Sequence, residues 1–132
     1  MSRIETREAV VFFVYQFGFR IESLDEQISI YMETNSHVED DKEYFINTAK
    51  GVILNRESLD ENISKYLKKW TINRIPKLDK AILEVAMYEI SNSDDIPTSV
   101  AINEAVRLSK KYGTDDSSSY INGVLSSYEK SL

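Results

Sequence analysis

Among its 132 residues the chain has no cysteine, one histidine, four glycines and two prolines. Without thiols there can be no disulfide framework, cysteine-rich zinc site or thiolate nucleophile, and a reducing compartment is the natural expectation. The histidine, His37, stands in a polar, acidic loop with no second histidine four residues away, so neither a His-led triad nor a metal site is expected there. No glycine-rich phosphate loop is present, and Glu39-Asp40-Asp41 lacks the alternating acids and glycine of a calcium loop. These absences together predict a protein that is not an enzyme and needs no cofactor or metal. The longest uninterrupted apolar stretch, Ala9 to Tyr15, is seven residues, far below the ~20 that cross a bilayer. No charged leader with a small-residue cleavage site precedes it, so a soluble cytoplasmic chain without a membrane partner is predicted. At 15.2 kDa, residues 1–132 make a single domain.

The charge is uneven. Sixteen basic against 22 acidic residues give a net charge of −6, which disfavours indiscriminate adhesion to polyanions. Arg20 to Glu43 carries eight acids against Arg20 and Lys42, and should repel phosphate. Lys65 to Lys80 inverts this, setting Lys65, Lys68, Lys69, Arg74, Lys77 and Lys80 against Asp79. Any face that binds a polyanion should border that stretch.

Apolar residues recur at spacings of three and four, which predicts an all-α fold. Seven helices are expected, near residues 3–17, 24–33, 39–55, 58–67, 77–90, 99–112 and from 115 onward. The first and fifth are apolar nearly all round and should be central. Ser23-Leu24-Asp25-Glu26 has the form of a capping box. Ser58 to Leu67 repeats Ser23 to Met32 at seven of ten positions. A third copy, due near Ser93, is missing, so the match reads as two similarly capped helices rather than a solenoid.

Two local features bear on binding. Arg3 and Arg7, at i and i+4 on the first helix, have no acid three or four residues away. Either they pair with acids of other helices or an incoming phosphate relieves their repulsion from each other and from the helix dipole. Gly123 lies inside the seventh helix, where glycine costs about 1 kcal/mol relative to alanine. Either a neighbouring helix packs closely there or a ligand approaches. Tyr120 and Asn122 beside it would suit an unpaired base.

Asp79-Lys80-Ala81-Ile82-Leu83, Ala86-Met87-Tyr88-Glu89-Ile90, Val100-Ala101-Ile102-Asn103-Glu104-Ala105-Val106, Lys111-Tyr112-Gly113 and Tyr120-Ile121-Asn122-Gly123-Val124-Leu125 together resemble the NusB family of transcription antitermination factors. Arg7-Glu8-Ala9 and Tyr15-Gln16 are similar to that family's first helix. The resemblance implies a compact bundle of about seven helices in two packed sub-bundles. It implies a non-catalytic adaptor that binds the single-stranded boxA element of rRNA leader transcripts with the ribosomal protein NusE, within the RNA polymerase antitermination complex. It carries RNA-binding roles onto Arg3, Arg7, Tyr15, Asn73, Asp116 and Tyr120, with Asn122 beside them and Asp79 toward the protein partner. The family's basic opening is reduced here to two arginines around Glu5, and Lys77 and Lys80 are expected to compensate if the first and fifth helices adjoin. The alternative is a protein-interaction scaffold, as a homodimer or otherwise, with little RNA affinity of its own.

Overall fold

The apolar run near the N-terminus forms the centre of α1 (Arg3–Gln16), in which Val10, Val11, Phe13 and Val14 are buried. In the computed structural model, which describes residues 2–18, 20–92 and 94–132, six further helices follow. They are α2 (Leu24–Thr34), α3 (Lys42–Leu54), α4 (Arg56–Tyr66), α5 (Lys77–Asn92), α6 (Thr98–Tyr112) and α7 (Ser117–Ser131). Ser93, where a third repeat copy would begin, lies outside the described residues.

Ala81 to Met87 of α5 are all buried, and α5 packs against α1, α3, α4, α6 and α7. It joins two groups. On one side Phe13 of α1, Tyr31 of α2 and Phe45 of α3 meet edge-on or stacked, with ring centroids 5.5–6.0 Å apart. On the other, α4, α6 and α7 surround α5, and Tyr66 of α4 meets Tyr128 of α7. Gly51 lets α3 approach α5, because a Cβ there would run into the Tyr88 ring.

The starts of the helices depart from the sequence reading in three places. The capping box belongs to α1: the Ser2 hydroxyl accepts from the Glu5 N–H and the Glu5 carboxylate from the Ser2 N–H, both at 3.2 Å. Ser23 instead donates to the Arg20 carbonyl at 2.7 Å. Its φ of −97° and ψ of 6° lack the extended backbone that aims a capping side chain at the next turn. Ser58 lies within α4 rather than ahead of it, so the two matching segments occupy different places in their helices. The third helix begins at Lys42, since residues 36–41 form a 3₁₀ turn anchored by buried Val38.

α4 is fastened to α5 by polar side chains. Arg56 donates to both Glu84 oxygens at 3.1 Å and to the Val14 carbonyl of α1 at 2.8 Å, while Lys80 pairs with Asp60 at 3.2 Å. Burial first, and hydrogen bonding with Asp60 second, push the Glu84 carboxyl up to about 8, with Arg56 acting in the opposite sense. A carboxyl raised above its unfolded value of ~4.3 binds more protons in the folded chain. Stability should therefore fall as pH rises from about 4.5 to 8, by at most ~1.4 kcal/mol per pH unit. Urea midpoints measured across that range should show the decline, and Glu84→Gln should flatten it.

Candidate nucleic-acid interface

The first helix separates the predicted binding residues by distance. Arg3 and Tyr15 are twelve positions apart on α1, about 18 Å along the axis at 1.5 Å per residue. They cannot both serve one compact site, and the structure gives them different surroundings.

At the N-terminal end, both arginines are already paired. The Arg7 guanidinium, 4% exposed, donates to the two oxygens of fully buried Glu89 at 2.7 and 3.0 Å, with Glu104 at 3.8 Å. Burial alone would make Arg7 less basic; the hydrogen bonds and charge of Glu89 overcome that and hold it above its ordinary value. Arg3 donates to Asp41 at 2.7 and 3.3 Å and lies over the Tyr44 ring, 4.1 Å from its centroid. The Asp41 hydrogen bond raises its basicity as well. The expectation of two arginines awaiting a phosphate is thus corrected. Arg7 clamps α1 to α5 from inside, and the acidic segment that should repel phosphate folds back and neutralises Arg3. A one-dimensional count of neighbours on α1 could not see acids 38 and 82 residues away.

At the other end, residues from three helices gather around the first turn of α5. Lys77 places its ammonium 5.9 Å from the Tyr15 ring of α1. Asp79, two residues on, accepts hydrogen bonds from Ser117 at 2.6 Å and from the Tyr120 hydroxyl, both of α7. Burial and the neighbouring Asp79 push the Tyr120 hydroxyl well above its usual value, so it stays a donor. α1 and α5 do adjoin, as the compensation by lysines requires. Lys80, however, is held by Asp60 and is a less available cation than the sequence suggests. Asp79 is fully buried; its expected contact with a protein partner is replaced by a structural one, pinning the start of α7 to α5.

The connection from α4 to α5 carries the accessible charge. Lys68, Lys69 and Arg74 are exposed and, with Lys77, have no carboxylate partner among the described residues. Asn73 is exposed on the same connection. Between it and α7 lies a cavity of about 390 Å³ whose lining includes Lys68, Lys69, Trp70, Asp116, Tyr120 and Gly123. Trp70 is 42% exposed, and its ring centre lies 6.2 Å from that of Tyr120. Asn122 is exposed and is not among the residues that line the cavity.

The profile of the NusB family matches residues 4–130. The chain belongs to the NusB family. It is 44% identical over 125 residues to the transcription antitermination protein NusB of Acetivibrio thermocellus, covering 95% of this chain and 86% of that one. It resembles the solved structure of T. maritima NusB with a TM-score of 0.84 and 32% identity, covering 98% of this chain and 92% of the other. The antitermination factor NusB solved with NusE and double-stranded RNA has the same fold, at a TM-score of 0.81 and 21% identity over the full length of both chains.

In this NusB family member Tyr15 lies beside Lys77, Asp116 and Tyr120 line the cavity, and Asn73 is exposed on the adjoining connection, whereas Arg3 and Arg7 are paired at the other end of α1 and Asn122 is outside the cavity lining. The sequence reading did not single out Trp70, which lines the same cavity. The signal was available, because a tryptophan directly after Lys68-Lys69 is a large apolar ring in the most basic stretch of the chain.

Proposed function

We propose that the chain is a non-catalytic, cytoplasmic RNA-binding adaptor for transcription antitermination, which takes up the boxA element of rRNA leader transcripts together with NusE. The observation that supports this is the unpaired basic connection between α4 and α5, set beside aromatic side chains of α1 and α7 at the start of α5. Lysines of this kind hold phosphates and position the strand, while exposed rings accept unstacked bases. Tyr15, Asn73, Asp116 and Tyr120 border the path, with Lys68, Lys69 and Lys77 as its phosphate contacts. Arg3, balanced by Asp41, contributes little.

Fluorescence anisotropy with boxA RNA, with and without NusE and across salt concentrations, tests this reading. Binding should weaken with salt, with a log–log slope of about −0.7 per phosphate neutralised on a single strand. Charge reversal at Lys68, Lys69 and Lys77 together should reduce affinity at least tenfold and flatten the slope by about 2, whereas Arg3→Glu should have a much smaller effect. No salt-dependent binding under either condition would overturn the proposal in favour of a scaffold module.

A further inference from the structure

We infer that Asp60 of α4 and Glu84 of α5 hold one proton between them, and that this shared proton is a latch that keeps α4 closed on α5. The inference concerns the fold itself and does not depend on the RNA-binding reading.

Four side chains build the latch. Glu84 is 1% exposed, and both of its oxygens accept from Arg56. Asp60 gives its Oδ2 to Lys80 at 3.2 Å. Its Oδ1 is buried and receives no hydrogen bond among the described residues. The Asp60 carboxyl nevertheless stands in hydrogen-bond contact with that of Glu84. Two ionised carboxylates are acceptors only, and side by side in a buried place they repel. One proton between them supplies the missing donor and turns that repulsion into a bond.

The surroundings offer no other donor to this pair. α1 contributes an acceptor, the Val14 carbonyl, which takes an Arg56 hydrogen at 2.8 Å. Lys50 of α3 pairs with Asp25 at 3.0 Å. Glu57 and Glu61 of α4, and Glu129 and Lys130 of α7, are exposed.

Because the two carboxyls belong to different helices, the proton is linked to the position of α4. Closed, the pair keeps it; opened, each carboxyl meets water and ionises near the ordinary value of ~4. Opening therefore releases a proton and becomes easier as pH rises, by up to about tenfold per pH unit, until the closed pair itself ionises. With that limit at about 8, the response spans neutrality. α4 leads directly into the connection that carries Lys68, Lys69 and Trp70, so the proton also governs how firmly that connection is held.

Two measurements on the full chain test the latch. In a carbon-13 NMR titration of labelled Asp and Glu side chains, the Asp60–Glu84 pair should lose one proton in the ordinary carboxylate range and the second far above it. Amide hydrogen exchange should show α4 opening more readily than α1 or α6, with its protection falling at least about tenfold between about pH 6 and 8 and levelling off beyond. Glu84→Gln, whose amide donates to Asp60 at every pH, should make α4 protection independent of pH. Asp60→Asn, which donates in the opposite direction, should do the same and provides the test if the first variant does not fold. If both carboxyls titrate in the ordinary range, there is no shared proton and the inference is overturned. It is overturned equally if α4 amides exchange only together with those of α1 and α6, since the proton would then report global unfolding and not a latch.

Discussion

Arg7→Ala should lower the unfolding free energy by about 3–5 kcal/mol, the usual consequence of removing one partner from a buried ion pair. Glu89 would be left fully buried with its bidentate partner gone, and α1 would lose its polar link to α5. Against a typical total of ~5–15 kcal/mol, that is enough to make the fold marginal, so urea denaturation is the appropriate measurement. Replacing both partners, Arg7→Met with Glu89→Leu, should recover most of the loss, because an apolar pair of similar volume costs no desolvation. The outcome separates two roles for this arginine. A side chain waiting for phosphate would change RNA affinity and leave stability nearly untouched. If Arg7→Ala unfolds at the same urea concentration as the parent, the clamp is refuted.

Asp79→Ala should cost about 3 kcal/mol, from losing an acceptor that serves two buried or half-buried hydroxyls. The damage should concentrate at the start of α7. Amide hydrogen exchange there should accelerate more than in α1 or α3, and Trp70 emission should shift as Tyr120 loses its anchor. Asp79→Asn, which keeps one acceptor oxygen, should lose less. An Asp79→Ala protein with unchanged stability and exchange, but weakened association with NusE, would restore the residue to a partner surface and remove it from the core.

These two residues show where the sequence was legible and where it was not. The helices of α1, α5, α6 and α7 follow from the spacing of their apolar residues, because a face that repeats every 3.6 residues is a local property of the chain. Their central or peripheral place follows too, since α1 and α5 are apolar on most sides and can only be interior. Charged side chains behave differently. Arg7, Asp79 and Lys80 all read as exposed binding candidates, and all three are held by partners from other helices. Ionic and hydrogen-bonding partners are chosen in space and leave no periodic trace. Gly123 is the reverse case: its oddity was visible in the sequence, yet only the folded chain shows that no neighbouring helix packs against it.

Apolar periodicity and a clustered run of lysines, both carried in the order of residues, determined that this is an all-helical bundle with one cationic stretch. The tertiary structure alone decided which cations remain free. Folding brings Glu89 and Asp41 to the arginines, while Lys68 and Lys69 on the exposed connection between α4 and α5 meet no carboxylate among the described residues, because charge neutralisation depends on distances of a few ångströms that neighbours in sequence do not set.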